Sequence, residues 1–350
     1  MMSPLAITGA AAITSVGDDV DQTCSSIRAG IKGFSEHTFF EPLPRDPESG
    51  DVRPLVVARA PGIDPRREGR ERLFDLLVPV LSDLVGRAGL EARQMADCAL
   101  LLALPEGDPA TDSWGLDSGW ADELVARSSL SFARVKTIRA GRPGMLCLLQ
   151  EAARLFATRA ASRVIVAGVD SYLTGERLSH LDRGYRLKSP RGVDGFIPGE
   201  AASALLLQPA SRVEPRDAPV LGVFAAMGQA EEPRPFTSEL QSTGRGLCEA
   251  LRPALAQPVG WVACDMNGES YRGFEWGVAT ARLAREMGSV TRLVHPAVSH
   301  GDIGAATGGV LAASIVAAFR RGYAPASEAV IWAAGDGPVR AAARIARPPG

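Results

Sequence analysis

The stretch Ile138-Arg139-Ala140-Gly141-Arg142-Pro143-Gly144-Met145-Leu146 joins a predicted strand, Ala133–Ile138, to a predicted helix, Gly144–Thr158. The helix is apolar on most of its faces, which predicts that it lies in the interior of the protein. A further β-type run, Arg163–Val169, follows it. A strand, a turn, a buried helix and a second strand together predict an α/β fold. The turn also places a charged residue, Arg142, at the start of a buried helix.

The same alternation of β-type runs and helical patterns continues along the chain, which predicts α/β layers with largely buried strands. The other predicted strands are Leu5–Ile7, Cys98–Leu104, Ser203–Leu207, Val220–Phe224, Val259–Cys264, Ser289–Leu293, Ala329–Ala333 and Val339–Ile345. The other predicted helices are Val20–Ala29, Arg72–Ala88, Gly244–Ala256, Phe274–Glu286 and Ile303–Arg320. Pro79 is expected to kink or divide the second of these helices.

Length and composition predict a large core. The chain has 350 residues, of which 46% are hydrophobic and 22% charged, so two similar lobes are expected rather than one small domain. A polar stretch, Gln208–Pro219, separates two series of strands and helices, and we therefore predict halves at 1–210 and 211–350. The net charge of −2 provides no basic excess for a nucleic acid or a membrane surface, so neither is predicted as a partner.

The sequence has no recognisable signal for export, for a membrane span, for a metal site or for a cofactor. The first residues lack a basic export signal and the longest apolar run, Val310 to Phe319, is too short to cross a bilayer, which predicts a cytoplasmic protein. Five cysteines, an odd number without a CxxC pair, indicate reduced thiols and no metal site. Gly304, Gly308 and Gly309 fit neither a dinucleotide motif nor a phosphate loop, and no cofactor is predicted.

Several motifs carry a family resemblance. The run Asp194-Gly195-Phe196-Ile197-Pro198-Gly199-Glu200-Ala201-Ala202 closely matches the Asp-Gly-Phe-x-x-Gly-Glu-Gly-Ala turn and strand of thiolase-like β-ketoacyl synthases. The helix and strand from Arg142 to Gly168, the opening Ile7-Thr8-Gly9-Ala10 and the helix start Gly304-Ala305-Ala306-Thr307-Gly308 are similar to other parts of that family. The resemblance implies a five-layer αβαβα sandwich of two pseudo-repeated halves. It also implies pairing through an edge strand, for which Ala133–Ile138 is the candidate.

The same resemblance implies a degenerate catalytic site. The family's cysteine nucleophile falls on Arg142, or on Pro143 one register over. Its first histidine is matched by Asp265, and its second by Gly301, with His300 one place away. A glycine-rich gate near the end of the chain is reduced to Ala333-Ala334-Gly335-Asp336-Gly337. No residue is therefore predicted with assurance to be catalytic.

Other nucleophiles have plainer interpretations. Cys24 stands in a Thr-Cys-Ser-Ser run that imitates the family nucleophile, but it lies in the first helix, outside the required strand–turn–helix context. Cys147 lies more than a turn inside its helix and is interpreted as a small buried hydrophobic residue. A catalytic triad of nucleophile, base and orienting acid cannot form from Ser299, His300 and Asp302, because they are too close in sequence. These residues are instead expected to cap the helix near Ile303.

A guanidinium at a buried helix start requires a partner, because both the helix dipole and desolvation oppose it. We predict that Arg142 forms an ion pair with Asp265, with Glu269 or Asp302 as further partners, and so plugs the former active site. The alternative is that Arg142 points outward into solvent.

Two classes of function remain open. The preferred one is a non-catalytic adaptor or binding partner, a homodimer or heterodimer. It resembles either a chain-length-factor subunit paired with a ketosynthase or an accessory factor for a secreted effector of the type VI secretion kind. The alternative is an acyltransferase or hydrolase whose rewired site uses Asp265, His300 or Cys147 on acyl-carrier-protein or acyl-CoA substrates.

Overall fold

The structure, a computed structural model, describes residues 3–43, 53–189, 191–213, 219–290 and 292–348. The strands are β1 Leu5–Ile13, β2 Ser35–Glu36, β3 Val56–Val57, β4 Cys98–Leu104, β5 Arg134–Arg139, β6 Arg163–Ser171, β7 Glu200–Pro209, β8 Gly222–Glu231, β9 Trp261–Cys264, β10 Arg292–Val294, β11 Glu328–Ala334 and β12 Val339–Ala346. The helices are α1 Val20–Ala29, α2 Gly69–Arg87, α3 Ala92–Met95, α4 Ser118–Ser128, α5 Gly144–Ala157, α6 Gly175–Arg183, α7 Arg245–Leu251, α8 Ser270–Arg282, α9 Ala284–Met287, α10 Ala297–His300 and α11 Thr307–Arg320.

Every predicted strand and helix overlaps one of these elements, but several elements are new. Helices α4 and α6 were not predicted, because both are short and rich in polar residues. Asp117 fixes the start of α4, where its side chain accepts a hydrogen bond from the Trp120 amide. Pro79 does not divide α2, which runs without interruption through it.

The sheet repeats one topology twice. Its strand order is β10-β9-β11-β12-β8-β1-β7-β6-β4-β5. The first set of five strands is β1, β4, β5, β6 and β7, and the second is β8 to β12. When the strands of each set are numbered 1 to 5 in chain order, both sets have the spatial order 3-2-4-5-1. In each set the fifth strand is antiparallel to both of its neighbours, and β1 pairs with β8 to join the sets. We infer from this repetition that 1–210 and 211–350 are the two halves of the molecule.

The helices lie in three layers around these strands. Helices α5 and α11 lie in the centre and share one apolar cluster with strands of both sets. Helices α2 and α4 cover the outer face of the first set, and α7 and α8 cover that of the second. The inner strands are therefore covered on both faces, which explains uninterrupted apolar runs such as β4. The result is the predicted five-layer αβαβα sandwich.

Two strands lie at the edges of the ten-stranded sheet, β10 and β5. Strand β5 coincides with the predicted dimer seam and has only β4 as a neighbour within the described residues. The seam itself stays a prediction. None of the helices in the described ranges combines the length and the hydropathy that a bilayer span needs.

Close backbone packing brings the parts of the site together. A Cβ added at Gly168 in β6 would lie 2.2 Å from the carbonyl oxygen of Ala305 and 2.8 Å from the Met145 sulfur. The backbone of β6 therefore touches the 3₁₀ turn Gly304–Ala306 that precedes α11. Only glycine allows this approach, which fixes the start of α5 against the loop before α11.

A substitution at this contact tests the packing. We expect Gly168→Ala to lower the free energy of unfolding by about 1–3 kcal/mol, because the added methyl group must displace backbone. Gly86→Ala is the matched control: it lies inside α2 with nothing within 4 Å of an added Cβ, and it is expected to stabilise by about 0.5–1 kcal/mol. Denaturant titrations compare the two variants. Equal midpoints would contradict the packing described.

Candidate functional site

A cavity of about 910 Å³ opens in front of the N-terminus of α5. Its first wall comes from the 1–210 half and includes Arg142, the Tyr172 ring after β6, and Arg177 of α6. Its second wall comes from the 211–350 half and includes Phe236 and Asp336. The cavity therefore lies between the two halves, at the turn where the sequence places the degenerate site.

Arg142 lines this cavity and forms ion pairs with two carboxylates. Its side chain is 2% exposed. The Nε and Nη2 atoms both lie 2.7 Å from Asp302 Oδ2, and Nη1 donates to Asp336 Oδ1 at 2.9 Å. Both carboxylates belong to the other half of the chain. Arg142 thus forms ion pairs across the junction between the halves.

Asp336 collects further arginines. Arg186 Nη1 lies 2.6 Å from Asp336 Oδ2, and Arg272 Nη2 donates to Asp336 Oδ1 at 2.7 Å. The turn that presents Asp336 is held by Glu106, whose carboxylate accepts hydrogen bonds from the amides of Asp336 and Gly337 at 2.9 and 2.8 Å. Three guanidinium groups therefore converge on one carboxylate.

Asn267 and Glu269 complete the network after β9. The Asn267 amide donates to Asp302 Oδ2 at 2.7 Å and to Glu269 Oε2 at 3.0 Å. Glu269 in turn pairs with Arg186 through two contacts of 2.8 and 2.9 Å. Asp302 Oδ1 also accepts a hydrogen bond from the Gly304 amide, two residues further on, at 3.0 Å. The predicted helix cap is wrong, because neither the 3₁₀ turn Gly304–Ala306 nor α11 has a side-chain hydrogen bond at its N-cap.

The pKa values of these groups follow from burial and from the pairing. Burial opposes charge on Arg142, but the charges of Asp302 and Asp336 raise its pKa well above the ordinary value. Burial would raise the pKa values of Asp302 and Asp336, but Arg142 lowers both, and Arg186 and Arg272 lower that of Asp336 further. Burial and the charge of Asp336 raise the pKa of Glu106. Arg142, Asp302 and Asp336 are therefore ionised at neutral pH.

The predicted pairing of Arg142 with Asp265 is wrong. Asp265 Oδ2 accepts the Ala334 amide of β11 at 2.8 Å, and its nearest cation is Arg272 at 3.6 Å. The carboxylate is turned towards the backbone of the neighbouring strand, away from the start of α5. Glu269 pairs with Arg186 and Arg272 instead of with Arg142. Asp302, which was predicted as a further partner, does pair with Arg142, and an outward Arg142 does not occur.

The other candidate residues lie outside the cavity wall as it is described. Burial raises the pKa of the Cys147 thiol to about 12 and that of Cys24 to about 11. Burial lowers the pKa of His300 to about 4, and its Nδ1 lies 2.8 Å from the Gly301 carbonyl. Gly301 has a φ of 66° and ends α10, where an added Cβ would meet the Ile197 carbonyl at 2.6 Å. Burial raises the pKa of Asp265 to about 6.

Several residues of the site were missed from the sequence, namely Glu106, Tyr172, Arg186, Asn267, Arg272 and Asp336. Asp336 had the clearest signal, since it is an acidic residue between two glycines in the segment that corresponds to the family's gate. Arg186 and Arg272 had no such signal, because nothing in the neighbouring sequence distinguishes them from the many arginines on the surface. Across residues 3–43, 53–189, 191–213, 219–290 and 292–348, no three His, Cys, Asp or Glu side chains are grouped so as to hold a metal ion.

Comparison with known proteins finds similarity in structure and none in sequence. No protein family and no curated protein matches the chain by sequence. The ketosynthase from module 6 of the bacillaene synthase of Bacillus subtilis 168 has a TM-score of 0.78 at 14% identity, over 99% of this chain and 72% of that one. The ishigamide ketosynthase/chain length factor has a TM-score of 0.72 at 18% identity, over 99% and 100%.

A third solved structure is a type II PKS acyl-carrier protein in complex with its ketosynthase bound to the hexaketide, AntDE:AntF. The matching chain has a TM-score of 0.77 at 12% identity and covers 99% of this chain and 100% of its own length. At such identities the likeness concerns the fold. The chain has the thiolase-like fold of ketosynthases and chain length factors.

Proposed function

We propose that this chain is a non-catalytic, ketosynthase-like protein that binds another protein and does not form a carbon–carbon bond. The observation that supports this most strongly is Arg142. The family resemblance places the nucleophilic cysteine at this position, and the guanidinium there is buried between Asp302 and Asp336. A guanidinium remains protonated and cannot attack an acyl group.

The residues that could replace the missing chemistry are poorly suited to it. A reactive cysteine is partly exposed and has a lowered pKa, whereas the pKa of Cys147 is raised to about 12 by burial. His300 is buried and has a pKa of about 4, so it is neutral at physiological pH, and it does not contact the cavity described above. Asp265 faces the backbone of β11. None of these three side chains lines the cavity that an acyl chain would enter.

Two forms of the binding role are proposed. In one the chain pairs with an active ketosynthase as a chain-length-factor-like subunit, which the structural likeness to a ketosynthase/chain length factor supports. In the other it is an accessory factor for a secreted effector of the type VI secretion kind. The open edge of β5 supports a dimer seam in either form, as a homodimer or a heterodimer.

The alternative, an acyltransferase or hydrolase acting on acyl-carrier-protein or acyl-CoA substrates, is favoured by one observation. The cavity of about 910 Å³ is large enough for a substrate. Cys147, His300 and Asp265 are not among the residues that line it, and this alternative therefore needs one of these buried groups to become exposed.

Acylation distinguishes the two functions. The protein is incubated with acyl-CoA and with acyl-carrier protein, and its intact mass is measured, with an active ketosynthase as the positive control for the donors. We expect no mass increase in the wild type or in Cys147→Ala. An acyl adduct on the wild type that disappears in Cys147→Ala would establish the enzyme. In parallel, the wild type and Cys147→Ala are each purified from the native host. Both are expected to co-purify with another protein in a complex of fixed stoichiometry.

The stability of an Arg142 variant tests whether this residue is a structural plug. Arg142→Met leaves Asp302 and Asp336 without their shared cation, and we expect a loss of about 3–5 kcal/mol in the free energy of unfolding. Arg154→Met removes an exposed ion pair with Glu151 and is expected to cost at most about 1 kcal/mol. The double variant Arg142→Met/Asp302→Asn should recover part of the loss. Similar stabilities for the two single methionine variants would show that Arg142 is dispensable.

The raised pKa of Asp265 predicts a particular dependence of stability on pH. Its pKa is about 6 in the folded protein, above the ordinary 3.8, so the folded state holds the proton more tightly. Its contribution is favourable below the ordinary value and is lost as the pH rises through 6. Asp265→Asn stays neutral, so its advantage over the wild type should grow by about 1–3 kcal/mol between pH 4 and pH 8. Asp122→Asn, on the exposed side of α4, should show no such growth.

A further inference from the structure

Asp265 and His300 line a second, much smaller cavity, called the small cavity below. Its volume is about 10 Å³, and its wall includes residues from the first turns of α11. All of its lining residues except Ala297 are buried. It shares no lining residue with the cavity of about 910 Å³ in front of Arg142. The small cavity is therefore a separate site inside the 211–350 half.

One oxygen of the Asp265 carboxylate needs a hydrogen-bond donor. Asp265 is 5% exposed, and its Oδ2 accepts the Ala334 amide at 2.8 Å. The approach of Arg272 Nη1, at 3.6 Å, is also to Oδ2. The other oxygen, Oδ1, is buried and has no hydrogen-bond partner among the described residues. Such an atom has lost its hydration, and buried polar atoms are ordinarily paired.

One nitrogen of the His300 ring has the same need. The ring is buried, and its Nδ1 lies 2.8 Å from the Gly301 carbonyl oxygen. A carbonyl oxygen can only accept, so Nδ1 carries the proton of the neutral ring and Nε2 carries the lone pair. Burial lowers the pKa of His300 to about 4, which keeps the ring neutral at pH 7. Within the part of the chain that the structure describes, the buried Nε2 has no hydrogen-bond partner.

The two atoms cannot satisfy each other, because both are acceptors. The pKa of Asp265 is about 6, so its carboxylate is largely ionised at neutral pH and can only accept hydrogen bonds. A molecule that serves both Oδ1 of Asp265 and Nε2 of His300 must supply two donors. Water has two O–H groups, and about 10–15 Å³ is the least volume that holds one water molecule. The small cavity is of that size.

Other ligands fit the small cavity less well. Zinc takes at least three side-chain ligands, and Mg²⁺ retains several water molecules, for which the volume is too small. In the ranges that the structure covers, three His, Cys, Asp or Glu side chains are nowhere grouped so as to hold a metal ion. An organic ligand is larger than the cavity. The unpaired atoms and the volume are independent observations, and both indicate water.

We propose that the small cavity binds one ordered water molecule, whose two O–H groups donate to Asp265 Oδ1 and to His300 Nε2. Asp265 follows β9 and His300 ends α10, so the water connects the sheet to the segment that precedes α11. This site goes beyond the proposed function. The family resemblance places one histidine at Asp265 and the other beside His300. The acceptors that remain at these positions therefore serve a structural water and not a substrate.

A high-resolution crystal structure of the full chain, from crystals grown without ammonium or metal salts, tests the site. We expect a single density peak in the small cavity, at about 2.5–3.2 Å from both Asp265 Oδ1 and His300 Nε2. The absence of a peak would overturn the proposal, and so would a direct contact between the two side chains. A peak with contacts shorter than hydrogen bonds would also overturn it, because it would indicate a cation.

Variants show whether both side chains hold the water. His300→Phe removes the nitrogen acceptor and keeps an aromatic ring, and we expect the peak to disappear. Asp265→Asn should retain the peak, because the side-chain amide can donate to the water oxygen while the water still donates to His300. Val298→Ala is the matched control on α10, since Val298 is 54% exposed and does not line the small cavity.

The outcomes for this site are separate from those for the proposed function. A peak of unchanged height in His300→Phe would overturn the proposal, because His300 would then not be needed to hold the water. If His300→Phe does not fold, the maps of the wild type and of Asp265→Asn decide the question. Acylation of the protein would refute the non-catalytic function and would leave the water site unaffected.

Discussion

The ion pairs of Arg142 with Asp302 and Asp336 are the constraint on which the site depends. A guanidinium that is 2% exposed has lost nearly all of its hydration, and the start of α5 adds the unfavourable end of a helix dipole. Two carboxylates offset this, the buried Asp302 and the partly buried Asp336, and each needs donors of its own. Asn267 supplies one to Asp302, while Arg186 and Arg272 supply others to Asp336. The extended polar network follows from one buried cation.

The duplicated fold makes this network possible. Arg142 follows β5 in the first half, whereas Asp302 and Asp336 follow β10 and β11 in the second, and the two halves meet across the central helices α5 and α11. Gly168 lets β6 touch the turn before α11, which brings Asp302 to the start of α5. The arrangement leaves a cavity between the halves. The fold is shared with enzymes and does not itself decide between binding and catalysis.

The sequence predicted the layers better than the contacts. Apolar periodicity located the buried strands and both central helices, and the burial of Arg142 followed from its position at the start of one of them. The choice of partner did not follow. Asp336 is 194 residues from Arg142, and no local pattern shows that a glycine turn carries it there. Asp265 was chosen because the family resemblance matches it to the first histidine, but its carboxylate accepts the Ala334 amide of β11 instead of pairing with Arg142. Helices α4 and α6 escaped prediction because their polar residues weaken the helical periodicity.

The central claim is that a buried cation occupies the position of the nucleophile and leaves a scaffold that binds without being acylated. A crystal structure of the protein after incubation with an acyl donor tests this most directly. The account predicts that the Arg142 guanidinium lies within hydrogen-bonding distance of both Asp302 and Asp336, and that no density continues from any cysteine sulfur. Thioester density on a cysteine, with Arg142 turned out of the cavity, would contradict it.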